Sequence, residues 1–508
     1  MGMIDKSGIF LGASRQKQNN ALKPEYIWLK YANRHGLITG ATGTGKTVTL
    51  QVIAESFAAA GVPAFCADVK GDLSGIAKPG ILNDKVRSRA QSVGLSSIDM
   101  KAPPVIFWDL FGVDGHPIRA TVSEMGPLLL SRLMDLTQAQ EGVLNIAFRV
   151  ADDEGLLLLD LKDLQAMLNH VGEKAAELST RYGNISKSSV GSIQRQLLVF
   201  EEQGGEHFFG EPSLKLEDIM RRTTDGRGFV SVLAADKLMT NPRLYSTFLL
   251  WLMSELFEQL PEVGDPEKPR LVFFFDEAHL LFDNAPKALI ERIEQVVRLI
   301  RSKGVGIYFI SQNPLDVPES VLSQLGNRIQ HALRVYTPRE IAAVKAAAST
   351  FRANPDFDTM KAISDLGTGE ALVSTLEDKG VPSIVERTTI RPPSSQIGPI
   401  TPEERQNLIK TSPVSGRYDE TVDRQSAYEM LQKNTEEKQS ANNQQEGGSF
   451  WDTIFGEDKK NGRGQSVAET AVKSITRTAA NSIGRSLARA GEQYVRGLLG
   501  NLLGGKRK

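Results

Sequence analysis

The sequence predicts an α/β protein with a mostly parallel sheet and helices on both of its faces. Residues 37–68 read as a strand, a glycine-rich loop, a helix and a second strand, which is the succession of a βαβ unit. Residues 271–275 are apolar without interruption, as expected for a strand that is covered on both faces. Further short apolar segments are predicted strands of the same sheet, at 105–108, 228–233, 306–310 and 329–335.

Composition excludes several classes of protein. A chain of 508 residues is long enough for several domains and a large core. The net charge of -1 excludes a polycation, so any binding to nucleic acid must use a local basic patch. Cys66 is the single cysteine, which excludes an internal disulfide framework and suits a reducing compartment. The sequence has no signal-peptide pattern and no apolar run of about 18 residues, so we expect a cytoplasmic protein without a membrane span.

Changes in composition along the chain predict six segments. Residues 121–225 are dominated by apolar residues at helical spacing, which indicates a helical insertion in the α/β core. Arg391 opens a stretch rich in Pro and Ser, and residues 432–448 are rich in Gln, Asn, Glu and Lys, a composition typical of disorder. We therefore predict a lead-in, a first core part, the insertion, a second core part, a partly disordered linker and a C-terminal tail, at 1–35, 36–120, 121–225, 226–390, 391–465 and 466–508.

The predicted tail, 466–508, is basic and amphipathic. Apolar residues recur in it at helical spacing, with arginines between them. Such a segment can bind a membrane surface peripherally, an acidic partner or nucleic acid. Two alternatives remain open. The tail can pack its apolar stripe on the core, or its glycines can lower its helix propensity so far that it stays disordered.

Residues 40–47 read Gly-Ala-Thr-Gly-Thr-Gly-Lys-Thr, the pattern of a phosphate-binding loop, or P-loop. Glycines let the backbone approach a phosphate closely, and inward-turned N–H groups at a helix start attract its negative charge. We predict that Lys46 reaches the β- and γ-phosphates of ATP and that the Thr47 hydroxyl binds Mg²⁺. A glycine-rich turn formed by chance is the alternative. The residues predicted to bind the nucleotide are Gly40, Thr42, Gly43, Thr44, Gly45, Lys46, Thr47 and Val48.

Two carboxylates, Asp276 and Glu277, directly follow the predicted strand at 271–275. The carboxyl ends of parallel strands meet at one edge of a sheet, where ligands bind. We therefore expect Asp276 near the P-loop, holding Mg²⁺ through water. Glu277 is predicted to accept a proton from the water that attacks the γ-phosphate, or to orient that water. An acidic turn or helix cap at the strand end is the alternative.

Two further polar residues are candidates for catalysis. Gln312 follows the predicted strand at 306–310, where it can hydrogen-bond the γ-phosphate or the attacking water, or else cap the next turn. Arg301 lies near the end of a predicted helix, and it is a candidate arginine finger for the γ-phosphate of a neighbouring subunit. Arg298 is the other candidate finger. Alternatively, the cations at this helix end simply complement the helix dipole.

These motifs resemble the HerA–FtsK superfamily of ring ATPases. The resemblance rests on residues 40–47, the pair Asp276-Glu277, Arg301 and the pair Ser311-Gln312. Residues 276–279 and 326–329 are similar to the HerA-like branch, and residues 67–75 and 418–429 to the bacterial YjgR-type subgroup. The resemblance implies a RecA-like P-loop NTPase core, Mg²⁺-dependent ATP hydrolysis and a homohexameric ring.

For HerA itself, the resemblance also implies DNA translocation, or a helicase-like activity, with a nuclease partner. HerA carries an N-terminal β-barrel that docks partners, and residues 1–35 are too short to form one. The alternative function is an ATPase of the same fold that acts on a protein partner, or that serves as a regulatory switch without DNA translocation. Stimulation of ATP hydrolysis by DNA distinguishes these functions.

Overall fold

The computed structural model describes residues 7–283, 287–335, 337–434 and 436. Within this part of the chain, the contacts separate two compact units. The first comprises the described residues up to Asp135 together with Leu198–Val422, and the second comprises Leu136–Leu197 together with the described residues from Asp423. The predicted tail, 466–508, lies outside the described residues. The described residues include no helix that is long and apolar enough to cross a membrane.

The first unit contains a single large sheet. Its strands are β1 (Gly8–Arg15), β2 (Leu22–Trp28), β3 (Gly36–Thr39), β4 (Ala64–Asp68), β5 (Val105–Asp109), β6 (His116–Pro117), β7 (Val230–Ala234), β8 (Leu271–Phe275), β9 (Val305–Ser311), β10 (Asn327–Gln330), β11 (Glu370–Ser374) and β12 (Glu386–Ile390). They are joined in the order β2-β1-β12-β11-β10-β3-β9-β8-β4-β7-β5-β6. The strands from β10 to β6 are parallel to one another, which confirms the predicted fold class.

Helices connect most of these strands. Their bounds are α1 (Lys46–Ala59), α2 (Asp84–Ser92), α3 (Val122–Leu133), α4 (Gln138–Glu154), α5 (Leu161–Glu173), α6 (Ala175–Tyr182), α7 (Lys187–Phe200), α8 (Glu206–Phe208), α9 (Leu216–Ile219), α10 (Pro242–Gln259), α11 (His279–Phe282), α12 (Lys287–Ile300), α13 (Glu319–Leu322), α14 (Pro338–Ser349), α15 (Thr359–Asp365) and α16 (Pro402–Lys410). Helices α3 to α9 fall within 121–225, the part of the chain predicted to be a helical insertion.

The sheet is covered on both faces because successive side chains of a strand point in opposite directions. On one face, Phe57 of α1 packs against Phe274 of β8 and Tyr308 of β9, with ring centroids 6.3 and 6.1 Å apart. On the other face, Phe309 of β9 packs against Phe282 of α11, with centroids 5.8 Å apart. The apolar strand sequences are thus explained by burial on both sides.

Four antiparallel strands extend the sheet beyond β10, and the sequence analysis predicted none of them. Strands β1 and β2 lie in the segment interpreted as a lead-in, and they form an antiparallel hairpin. Strand β1 also pairs with β12, with Gly12 opposite Ile390. This pairing joins residues that are far apart in the chain, so no local pattern indicates it. The predicted strand at 329–335 is also corrected, because β10 already ends at Gln330.

Residues that follow β12 contact the core far more closely than their composition predicted. The Glu55 carboxylate of α1 accepts hydrogen bonds from the backbone N–H groups of Ser394 and Ser395, at 2.8 and 3.1 Å. Further along, the Tyr418 ring is fully buried, and its hydroxyl donates to Asp218. The first part of the predicted linker is therefore bonded to the first unit.

The second unit is helical. Its helices α4 and α5 begin with capping boxes, in which Thr137 and Asp160 exchange hydrogen bonds with Gln140 and Asp163. The described residues from Asp423 also belong to this unit, and the Tyr428 N–H donates to the Asp163 carboxylate at 2.9 Å. The unit is thus assembled from two segments that are distant in the sequence.

Candidate active site

The loop between β3 and α1 has the conformation that close approach to a phosphate requires. Gly40, Gly43 and Gly45 have φ angles of 154, 77 and 114°, in the region that favours glycine. A Cβ atom on Gly40 would lie 2.5 Å from the Cβ atom of His331, so no larger residue fits there. Around Gly43, by contrast, a Cβ atom would meet no atom within 4 Å. The loop is therefore packed on one side and open on the other.

Lys46, the first residue of α1, lies over this loop. Its ammonium group donates to the carbonyl oxygens of Gly40 and Ala41, at 2.8 and 3.3 Å, and the residue is only 6% exposed. Burial lowers the pKa of Lys46, as does the charge of Lys70, while the charge of Glu277 opposes the shift. Lys46 thus lies among the charged groups at the carboxyl edge of the sheet.

His331 packs against the P-loop at Gly40, and no role was predicted for it from the sequence. Its Nδ1 atom lies 2.8 Å from the Glu370 carbonyl oxygen, and its Nε2 atom lies 2.9 Å from the Thr49 hydroxyl. Burial lowers the pKa of His331 to about 4, so the ring is neutral at physiological pH. In this arrangement Nδ1–H donates to the carbonyl and Nε2 accepts from Thr49. No sequence pattern indicates this role, since it arises because β10 is the sheet neighbour of β3.

Asp276 directly follows β8, two strands away from the P-loop. It is buried, and one carboxylate oxygen accepts a hydrogen bond from the Glu277 N–H at 2.9 Å. Burial raises the pKa of Asp276 to about 6, with a further contribution from the charge of Glu277. The Tyr245 hydroxyl donates to the Asp276 backbone carbonyl oxygen, at 3.5 Å.

Glu277 is held by partners from three elements. Its backbone has a φ of 47°, which is uncommon for a residue with a side chain and which often marks functional sites. Its carboxylate forms an ion pair with Lys70 and lies 3.3 Å from Nδ1 of His279. It also accepts a hydrogen bond from Gln312 at 3.2 Å. Burial alone would raise the pKa of Glu277, but Lys70, Gln312 and His279 together lower it.

Gln312 connects this carboxylate to the P-loop. Its amide nitrogen donates to Glu277, and its amide oxygen accepts a hydrogen bond from the Thr42 hydroxyl at 3.3 Å. Two hydrogen bonds of Gln312 thus link the Glu277 carboxylate to Thr42 of the loop, although Thr42 and Glu277 are far apart in the sequence.

Arg301 lies at the opposite edge of the sheet. It precedes β9, whose other end at Ser311 accepts a hydrogen bond from Gly40 of the P-loop. The Arg301 side chain is 40% exposed, and its guanidinium pairs with Asp265 at 3.2 Å. Arg298 is also exposed, on α12. Neither arginine lies at the P-loop of its own chain.

The residues present suit a Mg²⁺ ion bound together with a nucleotide. Thr47 and Asp276 offer oxygen ligands, which Mg²⁺ prefers. The described residues contain no group of three or more His, Cys, Asp or Glu side chains that could hold a metal on its own. Mg²⁺ is usually held by one or two carboxylates together with phosphates and water, so such a group is not needed. In addition, one carboxylate oxygen of Asp72 is buried without a hydrogen-bond partner in the described part of the chain.

The parallel sheet and the P-loop at its carboxyl edge define a RecA-like P-loop fold. The chain belongs to the family described as helicase HerA-like C-terminal, whose family model matches residues 13–508. None of the comparisons tests the YjgR-type subgroup, which stays a prediction.

Two curated relatives match a shorter part of the chain. A probable helicase of Methanocaldococcus jannaschii is 30% identical over 125 residues, which is 24% of this chain and 22% of the relative. The DNA double-strand break repair helicase HerA of Pyrococcus furiosus is 29% identical over 123 residues, which is 24% of this chain and 20% of the relative. The chain thus matches less than a quarter of the length of either relative.

Two solved structures align with most of this chain. The conjugative coupling protein TrwB, lacking its N-terminal segment, aligns with a TM-score of 0.48 and 13% identity, covering 78% of this chain and 99% of that chain. VirB4 of Thermoanaerobacter pseudethanolicus aligns with a TM-score of 0.48 and 16% identity, covering 77% of this chain and 98% of that chain.

Proposed function

We propose that this protein is a Mg²⁺-dependent ATPase that couples hydrolysis to movement along DNA. The main support for ATP hydrolysis is a chain of hydrogen bonds from Thr42 of the P-loop through the Gln312 amide to the Glu277 carboxylate. It puts a carboxylate beside the loop that would hold the phosphates, where it can act on the attacking water.

Each residue of the site has a distinct role in this proposal. The P-loop N–H groups bind the phosphates, and Lys46 leaves the loop carbonyls to contact the β- and γ-phosphates. Thr47 and Asp276 would hold Mg²⁺, which neutralises charge that develops on the phosphate oxygens. Gln312 orients the attacking water and Glu277 accepts its proton, so that ATP and water give ADP and phosphate.

We further propose that the active protein is a homohexameric ring and that Arg301 acts across the interface. The position of Arg301 supports this, because its exposed guanidinium lies at the edge opposite its own P-loop. Among the described residues it forms an ion pair with Asp265 alone, and Asp265 is itself 57% exposed, so a phosphate of the next subunit can compete for Arg301.

Mixed rings test the arginine finger. Arg301→Ala and Lys46→Ala subunits are each expected to be inactive alone, since a finger contributes about 10³–10⁵ in rate. Each variant keeps the group that the other lacks, so up to about a quarter of the interfaces in a one-to-one mixture are complete. Phosphate release should therefore recover on mixing. Absence of recovery in rings shown to contain both variants would mean that Arg301 does not act in trans.

DNA is the proposed substrate because the matched relatives are described as helicases. We expect duplex or single-stranded DNA to raise the steady-state rate of ATP hydrolysis by the full-length protein. Raising the salt concentration should weaken DNA binding, because phosphate contacts release counterions. If hydrolysis proceeds but no DNA changes its rate, the coupling to DNA is wrong and the protein-directed ATPase becomes the better account.

A further inference from the structure

A second lysine reaches the candidate site from the loop after β4. Strands β4 and β8 are parallel neighbours, with Ala67 opposite Phe275. Asp68 and Asp276 therefore end their strands side by side at the carboxyl edge of the sheet. The residues that follow Asp68 pass next to Glu277, where Lys70 makes its ion pair.

The turn that carries Lys70 is fixed by the preceding carboxylate. Asp68 accepts hydrogen bonds from the backbone N–H groups of Gly71 and Leu73, at 2.8 and 3.1 Å. Gly71 has a φ of 73°, a conformation that favours glycine. These hydrogen bonds fix the turn that contains Lys70, which lies between Asp68 and Gly71 and reaches Glu277 after the end of β8.

The two partners in the Lys70–Glu277 ion pair differ in exposure. The Lys70 side chain is 38% exposed, whereas that of Glu277 is 2% exposed. Gln312 and His279 also contact the Glu277 carboxylate, but Lys70 is the partner with a permanent positive charge. The pair is a weak source of stability, because removing the Glu277 charge from water is costly. What this pair does provide is a fixed orientation for the carboxylate.

We propose that Lys70 is a positioning residue for hydrolysis, whose ammonium group holds the Glu277 carboxylate in the orientation that accepts a proton from the attacking water. The inference rests on the proposed function, since it takes Glu277 as the base. Lys70 acts through Glu277 rather than on the phosphate, which already has Lys46 as its cation.

Kinetics of four full-length variants test this role: Lys70→Met, Lys70→Arg, Glu277→Gln and the Lys70→Met/Glu277→Gln double variant. Lys70→Met should lower kcat about 100-fold, the scale of a misplacement of about 1 Å, and leave ATP affinity within about threefold. Lys70→Arg keeps the charge and should stay within about tenfold of the wild-type kcat. In the double variant, Lys70→Met should slow single-turnover hydrolysis by less than about threefold relative to Glu277→Gln, because residues that act as a unit are not additive.

A matched control is available in Lys78, which is 36% exposed and pairs with Glu404 away from the site. Lys78→Met should leave kcat unchanged. Affinity for ATP is measured with a fluorescent non-hydrolysable analogue, and cooperative thermal unfolding checks the fold. If Lys70→Met does not unfold cooperatively, Lys70→Gln replaces it.

Three results would overturn the role of Lys70. The first is a wild-type kcat in Lys70→Met. The second is a rate loss in the double variant that equals the product of the losses in the two single variants. The third is a loss of affinity for ATP in Lys70→Met while its affinity for ADP is retained. The second result would mean that Lys70 acts independently of Glu277, and the third that Lys70 contacts the γ-phosphate itself. Wild-type turnover in Glu277→Gln is a different failure, because it removes the proposed base whatever Lys70 does.

Discussion

Replacing Lys46 by Ala is expected to abolish ATP hydrolysis and to weaken nucleotide binding. The ammonium group lies over the P-loop, where it donates hydrogen bonds to the carbonyl oxygens of Gly40 and Ala41. When ATP binds, it can donate to the β- and γ-phosphates instead. Alanine leaves no cation that can reach those oxygens from α1. Phosphate release from Mg-ATP by the purified variant measures the loss.

Binding and folding are separated by thermal unfolding. Mg-ATP should raise the unfolding temperature of the wild type, because a ligand that binds only the native state stabilises it, and should raise that of Lys46→Ala much less. The control is Lys78→Ala, which removes a lysine from a surface ion pair with Glu404. Retention of wild-type turnover in folded Lys46→Ala would remove the P-loop as the site of hydrolysis.

Glu277→Gln should bind Mg-ATP and yet turn over at least ~100-fold more slowly, the usual scale for the loss of a general base. Glutamine has the size of glutamate but does not accept the proton of the attacking water. Quenched-flow or filter assays should find ATP intact on the variant. Glu404→Gln is the matched control, since Glu404 also pairs with a lysine but lies away from the P-loop. Normal hydrolysis by Glu277→Gln would mean that this carboxylate has only a structural role.

The parallel strands of the sheet could be predicted from the sequence, because each is indicated by a short run of neighbouring residues. The apolar segments of β3, β4, β8 and β9 are continuous, and the βαβ succession around the P-loop fixes their direction. The antiparallel strands could not be predicted, since β1 pairs with β12 across most of the chain. Burial of β1 depends on that distant partner and not on an alternating pattern of its own.

The sequence predicts those residues of the candidate site that directly follow an apolar strand. Asp276, Glu277 and Gln312 follow neighbouring strands, and the structure brings the last two within hydrogen-bonding distance. Lys70 and His331 were not assigned roles, because they reach the site through the sheet neighbours β4 and β10. Strand order is set by long-range pairing, which neither charge nor spacing in the sequence reveals.

The contacts of Arg301 could not be predicted either. The helix pattern and the cluster of cations near its end are visible in the sequence, but the pairing with Asp265 is not. Its position at the edge opposite the P-loop follows only from the direction of β9. Because Arg301 lies away from its own P-loop, we propose that it acts on the nucleotide of a neighbouring subunit.

The central claim is that ATP is hydrolysed at the P-loop with Glu277 as the base. Its most direct test is the rate of phosphate release from ATP by the full-length wild type, with Mg²⁺ and with a chelator, beside Glu277→Gln. We predict turnover that requires Mg²⁺ and that falls at least ~100-fold in the variant, with ATP still bound. Folded wild-type protein that binds no Mg-ATP, or a variant that hydrolyses at the wild-type rate, would contradict the account.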